Sequence, residues 1–211
     1  MIDAVYRPES RRVLDALSGG SDIGETVRIF ALSLLALSLA GCVSLTPQHE
    51  QRLDEIQRFA DRATAVYGKP FVKISVQRAT NLNIGAVYRQ GNIFLNERML
   101  DSPNLKKTIA HELGHYVLGH SGFIPNAVSQ ADWQRAQEQK ELDANAKAVE
   151  ILMRADGLTE PEAVKVVADA LRRSADAQAK NNLPLTPGHL PASAELADLL
   201  ARFPDSAVTL R

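Results

Sequence analysis

Residues 109–120 read IAHELGHYVLGH, and this stretch decides how the rest of the chain is interpreted. Apolar residues recur every four positions from Leu105 to Val117, which predicts a helix with one buried side. His111 and His115 are four residues apart, so they share a helical face and both imidazoles can reach one cation. Gly114 carries no side chain, so a second element can approach the helix closely there.

The pentapeptide HELGH at residues 111–115 matches the pattern H-E-x-x-H. Neutral imidazole is a good zinc ligand, and a catalytic zinc site uses three protein ligands and leaves one position open. Glu112 is displaced around the helix, near the metal without being a ligand, where it can take a proton from water. We therefore predict one Zn²⁺ per chain, with His111 and His115 as ligands and Glu112 as the catalytic base. The alternative is a chance pair of surface histidines.

The third ligand is expected on a neighbouring helix, in residues 141–148, which read ELDANAKA. Glu141 and Asn145 share a helical face with the alanines at 144 and 148, whose small side chains permit close packing. Glu141 is the predicted third ligand. Asn145, one turn later, is predicted to hydrogen-bond a ligand and fix its orientation. Asp143 is the alternative ligand, and His120 is interpreted as non-ligating.

Composition sets the broad class of protein. The chain has 211 residues, 24 Lys plus Arg against 25 Asp plus Glu, a net charge of -1 and 45% hydrophobic residues. These values are typical of a globular domain and argue against disorder, collagen or a coiled-coil rod. The near-neutral balance predicts no nucleic-acid partner. A single cysteine excludes an internal disulfide and a zinc site built of thiolates alone.

The N-terminal segment resembles a bacterial lipoprotein signal. Residues 29–40 read IFALSLLALSLA, followed by Gly41 and Cys42. The run is shorter than the roughly 20 residues that span a membrane and suits the core of a secretory signal. We expect residues 1–41 to be a leader, with residues 1–26 ahead of the true start, and 42–46 to be a tether lipidated at Cys42. A buried hydrophobic helix is the alternative. Because Val43 is not aspartate, the resemblance implies the periplasmic face of the outer membrane.

The remaining chain predicts one α+β domain over residues 47–203, with a tail at 204–211. Periodicity predicts helices near 47–67, 128–155, 160–180 and 193–203, and the HELGH helix is expected to begin at Ser102 and Pro103. Three short β-prone runs precede it, the last two joined through the turn-like Gln90-Gly91-Asn92. The prediction is a small antiparallel sheet packed against several helices.

HELGH, followed by Glu141-x-x-Ala144-Asn145, resembles zinc metallopeptidases of the gluzincin type, in particular the HtpX-like and ImmA/IrrE-like families. The resemblance covers about residues 92–154 and implies a zincin-like fold that hydrolyses peptide bonds of extended or unfolded polypeptides. Asparagine at 145 is more typical of ImmA/IrrE, whereas the lipoprotein signal favours a lipid-anchored HtpX-like form. The family implies a substrate lying along an edge strand, here Asn92, Ile93, Phe94, Leu95 and Asn96. It also implies an oxyanion donor or gating residue, for which His189 is the candidate.

Three functions therefore compete. The first is a membrane-anchored zinc endopeptidase of the cell envelope. The second is a zinc-binding lipoprotein that acts as a chaperone or assembly partner without turnover. The third is a structural lipoprotein without metal. The sequence predicts neither the oligomeric state nor the identity of the substrate.

Overall fold

The computed structural model describes residues 44–82, 84–120, 129–182, 185 and 188–208, and the predicted leader and Cys42 lie outside this set. Within it, six α-helices pack with a three-stranded sheet, which confirms the α+β class. The helices are α1 (Pro47–Val66), α2 (Leu105–Leu118), α3 (Gln130–Asp156), α4 (Glu160–Asn181), α5 (Ala192–Arg202) and α6 (Pro204–Val208). The strands are β1 (Lys73–Gln77), β2 (Ala86–Arg89) and β3 (Asn92–Asn96), and a 3₁₀ helix spans Glu97–Asp101. Among the described helices, none combines the length and apolar character that a membrane crossing requires.

Side chains at the helix ends explain several of these boundaries. Thr46 caps α1 by accepting a hydrogen bond from the backbone N–H of His49. Thr159 and Glu162 form a reciprocal capping box at the start of α4. Gly157 ends α3 in the left-handed conformation, with φ of 72°, which a residue without Cβ adopts at little cost.

The HELGH helix begins later than predicted, at Leu105 instead of Pro103. The 3₁₀ helix occupies the preceding residues, and Ser102 ends it. The Ser102 hydroxyl then accepts a hydrogen bond from the N–H of Asn104 at 3.1 Å. This bond stabilises the short segment that leads into α2. Gly119, with φ of 69°, ends the helix.

The predicted hairpin is present. Gln90 and Gly91 connect β2 to β3 with φ values of 47° and 80°, as a two-residue turn with both central residues left-handed requires. Gly91 adopts this conformation without strain because it has no Cβ.

The sheet is mixed, not purely antiparallel as predicted. Its strand order is β1-β3-β2, with β3 parallel to β1 and antiparallel to β2. Asn92–Asn96 is therefore the central strand, and the prediction that it is an edge strand available to a substrate is wrong. Hydrogen bonds to both neighbours occupy its main-chain groups. β1 and β2 are the two edge strands, and β2 is the one that lies beside the HELGH helix.

One apolar core lies between the sheet and the helices. β3 contributes Ile93 and Leu95, both fully buried. The short α6 packs against α4 and α5, in the segment that had been predicted as a tail. Other large, fully buried side chains of this core are Phe59, Val72, Leu100, Ile109, Leu113, Val149, Ile151, Leu152, Val164 and Leu199.

Helices α2 and α3 meet at Gly114 and Ala144. A Cβ atom added at Gly114 would lie 2.7 Å from the carbonyl oxygen of Ala144, closer than real Cβ atoms approach backbone oxygen. The two backbones are therefore in direct contact, as the small residues in both motifs predicted. This contact sets Glu141 opposite His111 and His115.

Candidate metal centre

The two histidines of α2 face each other across one helical turn. The Nε2 atoms of His111 and His115 are 3.1 Å apart, and their rings meet edge to face. His111 is 8% exposed, and His115 is also largely buried. Helical spacing thus converts the sequence pattern into a pair of nitrogen ligands pointing at one position.

Glu141 on α3 completes the group. Its Oε2 atom is 3.0 Å from Nε2 of His111 and 3.4 Å from Nε2 of His115. The three ligand atoms all lie within 4.8 Å of one another, as a group able to hold a metal ion requires. Asp143, the alternative ligand, pairs with Arg202 at 2.9 Å instead. The structure therefore brings together the three residues predicted as ligands.

A hydrogen-bonded chain behind His111 fixes its orientation. Nδ1 of His111 lies 2.9 Å from Oδ1 of Asn145, and the Asn145 amide donates to Oε2 of Glu195 at 2.9 Å. Since the amide nitrogen faces a carboxylate, its oxygen faces the imidazole, and Nδ1 must carry the ring proton. Asn145 thus has the orienting position predicted for it.

Glu195 was not predicted. It lies on α5 between the buried Ala192 and Leu199, on the helical face that packs against the core. A carboxylate at such a position is unusual unless it has a partner, and this was the signal available in the sequence. The chain Glu195–Asn145–His111 joins α5 to the metal group.

The side chain of His120 contacts His115. Gly119 reverses the chain after α2, and Nδ1 of His120 then lies 3.0 Å from Nδ1 of His115. His120 lies outside the ligand group, as predicted, but it contacts the nitrogen of His115 that faces away from Glu141. Each histidine ligand therefore has a side-chain partner on its outer nitrogen, an arrangement typical of metal sites.

These partners leave electron pairs converging at the centre. Because Nδ1 of His111 carries the ring proton, the Nε2 lone pair of His111 points toward the Glu141 carboxylate. A lone pair and a carboxylate at such a short separation repel each other unless a cation lies between them. Two imidazole nitrogens and one carboxylate oxygen are a donor set that zinc accepts. The residues present therefore fit the predicted zinc ion.

The surroundings keep His111 in its metal-binding protonation state. Burial, reinforced by the charge of Lys107, lowers the pKa of His111 to about 3, so its imidazole is neutral near pH 7. The group thus presents a neutral imidazole beside the Glu141 carboxylate.

Glu112 lies beside the metal group and outside it. Its side chain is buried, and Oε2 accepts a hydrogen bond from the backbone N–H of Tyr88 at 2.7 Å. Burial raises the pKa of this carboxyl group, while the Tyr88 hydrogen bond acts in the opposite direction. A raised pKa suits a group that must accept and return a proton near neutral pH.

A cleft of about 460 Å³ opens over these residues. The edge strand β2 lines it with Ala86, Val87 and Tyr88, and α3 lines it with Lys140 and Glu141. His189 also lines the cleft: its Nδ1 atom is 3.6 Å from Oε2 of Glu141 and 4.0 Å from Oε1 of Glu195. The structure therefore places His189 beside the metal group, although His189 lies far from the HELGH segment in the sequence.

Removing Asn145 tests the role of the hydrogen-bonded chain. We expect Asn145→Ala to weaken zinc binding by about 10–100-fold, because His111 loses the partner that fixes its tautomer. Competition against a metal chelator measures the affinity. Asn181→Ala, the same change at an exposed position of α4, is the control. Equal zinc affinities of the two variants would contradict the orienting role.

Comparisons with known proteins point to the same chemistry. Residues 70–168, a little under half of the chain, match the peptidase M78 family model, described as an IrrE N-terminal-like domain. No curated protein and no solved structure matches the chain. The matched residues run from β1 into α4 and include HELGH, Glu141 and Asn145. Of the two resemblances, the match favours the IrrE-like one, and it supports a metallopeptidase-like family with a His-His-Glu group able to bind a metal.

Proposed function

We propose that this protein is a zinc-dependent endopeptidase that hydrolyses extended segments of polypeptide. The observation that carries the proposal is the convergence of His111, His115 and Glu141 beside the buried carboxylate of Glu112, in a single open cleft. The similarity of residues 70–168 to a peptidase family supports the same reaction class. We assign one zinc ion per chain to the three ligands.

Zinc bound at this group supplies Lewis acidity, which polarises a carbonyl and makes water easier to deprotonate. Glu112 is the chain's own proton acceptor. Its buried carboxylate takes the proton from the attacking water and later delivers it to the leaving amine. The Tyr88 N–H holds one oxygen of Glu112, which leaves the other oxygen free to contact water.

The substrate is proposed to lie along the free edge of β2. Gly85 accepts a hydrogen bond from Asn96 of β3, and the pairing alternates along the strand. The N–H and carbonyl of Ala86 and the carbonyl of Tyr88 therefore point away from β3, toward the cleft, while the Tyr88 N–H donates to Glu112. An extended peptide can pair with these groups as an added strand, in the manner of other peptide-binding sheet edges.

Replacing the proposed base tests the mechanism. We expect Glu112→Gln to lower the rate of peptide cleavage by about 10²–10⁴-fold, because the amide cannot accept the proton from water. Zinc content is expected to stay near one ion per chain, since Glu112 is not a ligand. The assay uses the zinc-loaded full chain and an unfolded protein, with products identified by mass spectrometry.

Glu55→Gln, the same change at an exposed position of α1, is the matched control and is expected to leave cleavage intact. Equal cleavage by wild type and Glu112→Gln would refute Glu112 as the base. A wild-type chain that holds zinc and binds unfolded protein without cutting it would favour the chaperone function instead.

We further propose His189 as the donor that stabilises the oxyanion formed when water attacks the carbonyl. It borders the metal group without belonging to it, and its side chain is 42% exposed, so it can reach a substrate in the cleft. A positioned donor of this kind contributes about 10²–10³-fold to kcat.

His189→Ala is accordingly expected to lower kcat by about 10²-fold while zinc affinity stays unchanged. Steady-state kinetics and chelator competition provide the two readouts. His49→Ala is the control, because His49 pairs with Asp101 on the surface. A rise in activity for His189→Ala would identify His189 as a gate that obstructs the cleft, and would exclude the oxyanion role.

The envelope location is also part of the proposal. The apolar run at residues 29–40, the small residues after it and the single cysteine support lipidation at Cys42 and a tether on the periplasmic side of the outer membrane. The unfolded or extended substrates would then be proteins of the cell envelope.

Cys42→Ser tests the tether. The wild-type chain is expected to sediment with membranes and to incorporate a labelled fatty acid, and Cys42→Ser to do neither, since no other residue can form the thioether. Ser44→Ala, two residues away, is the control. Retention of Cys42→Ser in washed membranes would show that the attachment does not depend on lipid at this cysteine.

A further inference from the structure

We propose that Lys107 forms a subsite for a carboxylate group of the substrate, within about two residues of the bond to be cleaved. The inference rests on the proposed peptidase function and adds to it a preference for acidic segments or for chain ends. Two sources supply such a group in an unmodified polypeptide: an Asp or Glu side chain, and the C-terminal carboxylate.

The helix places Lys107 in the cleft. It precedes His111 by four residues, so the two side chains share one face of α2, and both line the cleft. Four residues correspond to about 6 Å along a helix axis. An extended peptide advances about 3.3 Å per residue, so the backbone positions of Lys107 and His111 are about two substrate residues apart along the helix axis.

Lys107 is unpaired among the described residues, where no hydrogen bond or ion pair joins its ammonium group to a partner. Neighbouring cations differ in this respect. Lys106 pairs with Asp156, and Arg172 pairs with Asp169. The three carboxylates whose charges act on Lys107 have other contacts: Glu195 accepts from Asn145, Glu112 accepts from Tyr88, and Glu141 belongs to the metal group.

The position of Lys107 is unfavourable for folding alone. It lies in the first turn of α2, where the helix dipole disfavours a positive charge, and α2 has no acidic residue in that turn. Burial also lowers the pKa of Lys107, although the nearby carboxylates act in the opposite direction. An incoming carboxylate in contact with the ammonium group would offset both effects further, and no hydrogen bond or ion pair of Lys107 to a described residue takes its place.

Uncharged polar groups surround the same end of the cleft. Thr108 follows Lys107 directly, and Ser174 follows Arg173, whose guanidinium binds Asn104 at the start of α2 at 2.7 Å. The hydroxyl groups of Thr108 and Ser174 make no hydrogen bond to other described residues. One cation with free hydroxyl donors is the composition expected of a site that binds a carboxylate.

The test compares the affinities of one protein sample for an acidic peptide and for its neutral counterpart. A partly unfolded variant lowers both affinities equally, so the ratio is unaffected. Peptides that differ only by Glu against Gln at each position near the cleavage site form one arm. Peptides that differ only by a free or an amidated C-terminus form the other. Binding is measured to the zinc-loaded full chain carrying Glu112→Gln, with cleavage by the chain without that change as an independent readout.

We expect at least one acidic peptide to bind about 10-fold more tightly than its neutral partner, as for a charged hydrogen bond. Lys107→Met in the same background should abolish this preference, and Lys107→Arg should retain part of it. Lys106→Met removes the same charge from the neighbouring residue and should leave the preference unchanged. The arm that shows the effect identifies the source of the carboxylate.

Two results overturn the proposal, and they differ in what else they affect. Cleavage without any preference for acidic peptides, or a preference that survives Lys107→Met, overturns the carboxylate subsite and leaves the peptidase function intact. A chain that neither binds nor cleaves any peptide overturns both together.

Discussion

The site depends on one contact between backbones, where Gly114 of α2 meets Ala144 of α3 without a side chain between them. Two helices with ordinary side chains at this point would lie farther apart, at the 8–10 Å axis separation typical of packed helices. Glu141 precedes Ala144 by less than one turn, so any widening would move its carboxylate away from the histidines. A structural constraint on two small residues is therefore also a constraint on the metal group.

The close contact between α2 and α3 brings the Glu141 carboxylate next to the histidine nitrogens, and the outer hydrogen bonds increase the repulsion there. Asn145 accepts from the outward nitrogen of His111, so the inward lone pair of His111 meets the carboxylate of Glu141, and His120 contacts the outward nitrogen of His115. Such a group is unfavourable without a cation and favourable with one, because ligands held in place before binding lose little freedom when the metal arrives. Glu195 strengthens this effect by orienting the Asn145 amide from α5, outside the segment similar to the peptidase family.

Local patterns in the sequence were enough to predict most of the centre. The H-E-x-x-H pattern placed His111 and His115 on one helical face, and the alanines that share a face with Glu141 indicated that this residue can approach them. The hairpin followed from Gln90-Gly91 for the same local reason. Glu195 and the strand order were missed because both depend on contacts between distant segments. β1 pairs in parallel with β3, and this removes Asn92–Asn96 from the sheet edge, which no short-range pattern in these strands specifies.

The charge on Lys107 links the metal group to the rest of the cleft. A cation next to a site for a dication appears counterproductive, since like charges repel. Its effect on His111 is nevertheless useful: together with burial, it disfavours protonation of the imidazole and so keeps the metal-binding nitrogen available. Three carboxylates, those of Glu112, Glu141 and Glu195, act on the ammonium group of Lys107 without pairing with it. A further negative group binds most readily where a cation lacks a partner, and among the described residues that line the cleft Lys107 meets this condition.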